Sequence, residues 1–170
     1  MEIFKFFILL IISGLCVSLG LIKANKYNLR VIDLMEIKKA LNLILTRIRY
    51  TYEPLPELFA EVSKNANFNI SEIFTNAKAK MDKNIIASEA WEQAVDESSN
   101  NFSKEDINVI KGLAKLLGQT DLEGQVSQIN LTLKLLEEQI IQANQEKVKN
   151  TKLYKTLGAT VGLAIMIIFI

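Results

Sequence analysis

Two apolar runs occupy the ends of this chain, and each carries most of its flanking basic residues on the side that faces the middle. Phe6 to Ile22 is a run of seventeen residues without a charge, and Leu157 to Ile170 is a run of fourteen more. Lys23, Lys26 and Arg30 follow the first; Lys147, Lys149, Lys152 and Lys155 precede the second. Lys and Arg beside membrane spans stay predominantly on the cytoplasmic side. Both ends therefore predict one arrangement: an N-terminal membrane anchor over 1–25, a cytosolic helical domain over 26–150, and a C-terminal membrane helix over 151–170.

Taken from Ile3, the first run reaches about twenty residues, enough at 1.5 Å per residue to cross a hydrocarbon core of roughly 30 Å. A cleaved signal peptide is the competing reading. Lys5 precedes the run, and Ser18-Leu19-Gly20 is a small-x-small sequence that would put a mature start near Leu21. The run is longer than the usual apolar core of such a signal and leads straight into basic, helix-forming sequence, which favours an uncleaved anchor. Before Cys16, Ser13-Gly14-Leu15 has its bulky residue in the wrong place for a lipoprotein signal. The second run covers only about 21 Å as helix. Leu153 and Tyr154 extend it, because Lys152 and Lys155 can snorkel toward the headgroups and the bilayer can thin locally. A tail lying in the interface is disfavoured, since the run is apolar on every face.

The middle is long enough for one domain with its own core. The net charge of +1 leaves no electrostatic footprint for nucleic acid. The chain has no histidine, so the commonest general base, the commonest metal ligand and every His-based triad are missing. Its one cysteine lies in the first apolar run, so neither an internal disulfide nor a thiolate metal site can be built. The seven glycines form neither GxxxxGK[ST] nor GxGxxG. Paired carboxylates such as Asp96-Glu97 and Glu137-Glu138 lie in charge-mixed helical surroundings and read as solvated helix faces. The expectation is a protein that is not an enzyme and holds no cofactor or metal.

The middle reads as helix throughout. Leu34, Ile37, Leu41, Ile44 or Leu45, Ile48 and Tyr52 recur at three- and four-residue steps on a first helix of about 25 residues. Only Asn25 to Asn28 separate it from the anchor. It stops at or before Glu53, because the residue preceding a proline avoids the α region; Pro56 then opens a second helix with Leu58, Phe59 and Val62 inward. Asn65 to Asn69 is a polar break. Asn69 or Ser71 is expected to cap a third helix, with Glu72 completing a capping box. Ser88 is expected to cap a fourth, in which Trp91 is a core anchor or, in the sharper reading, a partner contact. Ser103-Lys104-Glu105-Asp106 has capping spacing before a fifth helix carrying Ile107, Ile110, Leu113 or Ala114, and Leu117, with Gly118 to end it. Thr120-Asp121-Leu122-Glu123 repeats that spacing. Leu122, Val126, Ile129, Leu133, Leu136, Ile140 and Ala143 then form a strict a/d seam. This seam packs on the first helix or, alternatively, on a second copy. No strong breaker follows Ala143, so the sixth helix is expected to run into the terminal apolar segment. Two long helices that begin and end in one bilayer would stand antiparallel, giving an all-α fold: an antiparallel bundle of about six helices between two transmembrane helices.

Three segments then meet a family. Pro54-Leu55-Pro56-Glu57-Leu58-Phe59 follows the anchored first helix, Ala90-Trp91 lies in the fourth, and Leu117-Gly118-Gln119-Thr120-Asp121 opens the long last helix. In this order, between two anchors, they resemble the stage III sporulation protein AB family over essentially the whole chain. The resemblance implies endospore-forming bacteria and a membrane complex between mother cell and forespore. It also implies a cytosolic domain similar to the helical domains of the type II secretion platform protein, the F component, which couples a cytosolic ATPase to an envelope-spanning machine. That platform protein has two such domains in one chain and this sequence has one, so a homo-oligomer would supply the second. The resemblance marks no catalytic residue. Pro54, Pro56, Glu57, Trp91, Gly118, Gln119, Thr120 and Asp121 are its signature and candidate partner-contact positions, each with a structural reading beside it as turn, cap or core.

The expected function is thus a non-enzymatic membrane scaffold of the mother cell–forespore channel, bound to the membrane, to channel proteins and to a secretion-type ATPase, without nucleic acid. Two other classes compete. One is a ligand-binding domain, using Asp121 and Glu123 for Ca²⁺, although two carboxylates from one helix start fall short of a calcium shell. The other is an exported helical adaptor, cleaved near Leu21.

Overall fold

The computed structural model describes residues 2–51, 53–115, 117–118 and 121–169. Six helices follow in order: α1 Glu2–Tyr50, α2 Leu55–Asn65, α3 Phe68–Met81, α4 Ala87–Glu97, α5 Lys104–Lys111 and α6 Leu122–Phe169. A 3₁₀ turn, Gly112–Lys115, continues α5. No strand occurs among the described residues. The chain divides into two compact units, Met1–Val31 with Gln142–Ile170, and Ile32–Ile141.

In the first unit the start of α1 and the end of α6 run antiparallel in close contact. Ser13 lies against Gly162, Gly20 against Gly158, and the Tyr27 and Tyr154 rings stack at 5.9 Å. Arg30 Nη1 donates to Glu146 Oε2 at 2.7 Å. The backbones approach so closely that a Cβ on Gly20 would lie 2.6 Å from the Tyr154 carbonyl oxygen. Small residues permit such approach between membrane helices. α1 and α6 are each long and apolar enough to cross a membrane, and only 11% of either apolar window is buried by the protein itself. Little of that surface is covered from within, which is unlike the core helix of a soluble domain.

The second unit is an all-helical bundle. Leu34, Ile37, Leu41, Ile44 and Ile48 of α1 are buried, as the stripe predicts; Leu45 is half-buried, and Tyr52 lies outside the described residues. On α6 the seam is buried at Ile129, Leu133 and Leu136, and Lys38 of α1 reaches Glu137 of α6 at 3.1 Å. α2, α3 and α4 pack in succession around Phe59, Phe74 and Trp91, whose rings lie 5.2–5.6 Å apart. Tilted and edge-on pairs at these distances suit the ring quadrupoles.

Several local expectations are corrected. α1 passes through Asn25 to Asn28 without interruption; no glycine or proline stands there, and asparagine alone costs a helix interior only a few tenths of a kcal/mol, roughly. The cap of α3 is Asn67, whose side chain accepts from Ile70 N at 3.0 Å. Asn69 turns its amide to Asp33 instead, Ser71 donates its hydroxyl to the Ser63 carbonyl, and Glu72 accepts from Ser99 N. The N-cap of α4 is Ile86 without a side-chain cap, leaving Ser88 inside the first turn. α5 ends at Lys111 rather than Gly118, and the 3₁₀ turn tightens the chain so that Leu113, Ala114 and Leu117 still face inward. The Ser103–Asp106 capping box is present, with reciprocal bonds of 3.1 and 2.8 Å. α6 runs unbroken from the bundle into the terminal apolar segment, as expected.

Candidate functional site

Gly118 meets the 54–57 signature segment at Leu55 in the Ile32–Ile141 unit. Pro54, extended at ψ 147°, is the N-cap of α2, and its carbonyl accepts from Leu58 N at 3.2 Å. Pro56 falls in the first turn, where a missing N–H costs nothing. Glu57, exposed in that turn, puts a negative charge where the helix dipole favours it. Gly118 has φ +70°, a left-handed conformation open to glycine. A Cβ there would lie 3.1 Å from Ala87 Cβ and 3.5 Å from Leu55 Cδ1. The turn before α6 therefore rests on the Pro54–Pro56 turn and on the start of α4.

Asp121, exposed, caps α6: its Oδ1 accepts from Gly124 N at 3.0 Å, and its carbonyl accepts from Gln125 N. The cap thus falls on the residue before Leu122. Gln119 and Thr120 lie outside the described residues. Trp91 stands apart from this surface. It is fully buried, and its indole Nε1 donates to the Ile110 carbonyl at 2.9 Å. Its role is carried out through the core, by joining α4 to α5. Beside the turns runs a groove of about 440 Å³ lined by Arg49, Leu122, Glu123, Val126, Ser127 and Asn130. A second, of about 490 Å³, lies between α1 and α2 with Lys39, Leu43, Glu61 and Val62 among its walls. Both are open, mixed apolar and charged surfaces of the kind a helix or loop of another protein can fill. Asp121 and Glu123 acquire no third His, Cys, Asp or Glu that could complete a metal group among the described residues.

Sequence reasoning missed a buried polar knot. Asp33, 2% exposed, accepts from Asn69 Nδ2 at 3.1 Å, from Asn101 Nδ2 at 2.8 Å and from Asn101 N at 3.2 Å. It ties α1 to α3 and to the loop before α5. The available signal was a charge four residues before Ile37, on the apolar face of α1. In the other unit, the Tyr27 phenol is raised above its ordinary 10.0, first by desolvation, then by its hydrogen bond with Tyr154 and by the charges of Tyr154 and Glu146, with Arg30 opposing. A raised tyrosine stays neutral below pH 10, so this group adds no pH dependence near neutrality.

Fold and surface together define a class: a helical bundle domain bracketed by two helices of membrane-spanning length. The chain matches the family described as Stage III sporulation protein AB over residues 5–170, and it belongs to that family. It is 28% identical over 152 residues to Stage III sporulation protein AB of Bacillus subtilis (strain 168), covering 88% of this chain and 89% of the relative. A solved structure of Stage III sporulation protein AB aligns with a TM-score of 0.64 at 27% identity, over 70% of this chain and 96% of the other. The protein is therefore a sporulation protein, and its two candidate membrane helices fit a two-pass membrane protein.

Proposed function

We propose that this protein is the membrane platform of a sporulation-specific secretion-like complex. Residues 1–25 and 151–170 act as its anchors, and 26–150 form a domain on the mother-cell cytosolic face. The platform performs no catalysis. It receives a cytosolic secretion-type ATPase and channel proteins on the surface that carries Pro54, Pro56, Glu57, Gly118 and Asp121, with Gln119 and Thr120 as further candidate contacts by sequence, and it oligomerises to supply the paired domains that a one-domain chain lacks. The observation that carries this reading is the bracketing of one compact helical unit by two membrane-length helices whose basic residues lie mostly on the side facing the middle of the chain, Lys5 alone standing outside the first apolar run. The two-turn surface supports it further, because binding residues concentrate on loops held by a rigid scaffold.

Topology is the test. In a Cys16→Ser background, Glu57→Cys places one thiol on an exposed position. In membranes of sporulating cells that thiol is expected to resist an impermeant reagent until the mother-cell membrane is permeabilised. Labelling without permeabilisation would put the domain between the two membranes and replace the platform with an extracytoplasmic adaptor.

A further inference from the structure

We infer that the Met1–Val31/Gln142–Ile170 unit carries a binding site for the phosphate group of an anionic phospholipid, formed by Asn25, Asn28, Lys147, Thr151 and Lys155. The inference rests on the membrane placement proposed above.

Charge is divided unevenly along the chain. This unit holds eight basic and two acidic residues, net +6, whereas Ile32–Ile141 holds twelve and seventeen, net −5. Within the unit, Glu146 is already engaged by Arg30 at 2.7 Å. The excess is also shaped. A groove of about 610 Å³ runs between the two helices. Along it α1 presents Leu21, Asn25 and Asn28, and α6 presents Lys147, Thr151 and Lys155 at four-residue steps, one face of a helix. Each polar side chain brings a donor: ammonium, carboxamide or hydroxyl. Among the described residues none of these five side chains makes a hydrogen bond or ion pair. The Thr151 Oγ1 atom is shielded from solvent and unpartnered, a condition that native sites usually relieve with a ligand, ion or water.

The position selects the ligand. Ile22 is the last residue of the first apolar run, and Lys155 precedes the second by two residues. The groove thus spans the level where charge gives way to hydrocarbon. Its apolar end is Leu21 and Ile22, 48% and 59% exposed. A free phosphate ion would leave that end bare, whereas a phospholipid covers it with glycerol and acyl chain. Basic pockets between membrane helices on the cytoplasmic side take anionic headgroups in this way.

The full-length chain, reconstituted in phosphatidylcholine vesicles with trace spin-labelled phosphatidylglycerol or spin-labelled phosphatidylcholine, provides the test. Electron spin resonance reads the motionally restricted fraction of each lipid. Phosphatidylglycerol is expected to be preferred by about twenty-five-fold, since each of the two groove lysines contributes roughly fivefold near an anionic group. Lys147→Gln/Lys155→Gln should cut the preference at least fivefold, and Lys149→Gln/Lys152→Gln, off the groove, should leave it within twofold. Equal association of the two lipids with the wild-type chain overturns the site, as does equal loss in both double variants, which means a diffuse collar. Displacement of the labelled lipid by inorganic phosphate would assign the groove to a soluble anion and also overturns the proposal. Absence of any restricted lipid would instead defeat the membrane placement itself.

Discussion

Gly20 and Gly158 face each other across α1 and α6 with no room for a side chain on either. A Cβ on Gly20 would lie 3.1 Å from the Gly158 Cα, and one on Gly158 would lie 3.0 Å from the Cys16 carbonyl oxygen. Backbone atoms cannot retract as a flexible side chain can, so Gly20→Ala is expected to destabilise the helix pair by about 1–3 kcal/mol, the usual cost of overpacking. Gly14→Ala, with nothing within 4 Å, is the control and should be neutral or slightly stabilising. Unfolding in mixed micelles, followed by circular dichroism, distinguishes the two variants.

Asp33 is held by four hydrogen bonds from two asparagines. Asp33→Ala removes the buried acceptor and leaves half-buried donors on Asn69 and Asn101 without it, a loss of about 1–3 kcal/mol. The paired variant Asp33→Ala/Asn69→Ala should cost less than the sum of the two single changes, because the residues share one interaction. Urea unfolding of the four proteins of that cycle gives the coupling. Strict additivity would mean that Asp33 and Asn69 are not coupled.

Trp91→Phe keeps an aromatic ring against Phe59 and Phe74 but deletes the donor to the Ile110 carbonyl. The expected loss is about 1–3 kcal/mol from the lost indole bond to that carbonyl, which keeps the Gly112 N–H, and from the smaller ring. The urea midpoint should fall with no change in the denaturant slope.

Gly118→Ala meets two separate penalties. The left-handed backbone costs a non-glycine residue about 1–2 kcal/mol, and the new methyl would stand 3.1 Å from Ala87 Cβ. Adding Ala87→Gly should relieve only the contact. Thermal unfolding of the double variant is therefore expected to lie below the wild-type protein, with any recovery reduced by the helix cost of the new glycine.

Glu57→Lys separates partner binding from folding. The side chain is exposed in the first turn of α2, so stability should change by no more than about 0.5–1 kcal/mol, mainly through the helix dipole. If this surface receives a partner, heat-resistant spore counts should nonetheless fall. Unaltered spore yield with normal protein abundance would remove Glu57 from the contact.

The helices were legible in the sequence because their signals are local. The stripe from Leu34 to Ile48 follows the 3.6-residue repeat, the Ser103–Asp106 box joins residues three apart, and Pro54 excludes helix at Glu53. The membrane-length helices are likewise a property of contiguous composition. Where candidates competed locally, only packing could choose. Asn67, Asn69 and Ser71 all suit a cap, and Asn67 took that role while Asn69 went to Asp33 from a distance of 36 residues. Tertiary structure alone set Gly118 on Leu55 and Ala87, closed Gly20 onto Gly158, and lined up Lys147, Thr151 and Lys155 opposite Asn25 and Asn28. Hydrogen-bonding capacity and periodicity belong to single segments and can be read in order along the chain; a shared groove, or a backbone approach too close for a Cβ, belongs to two segments and exists only once they pack.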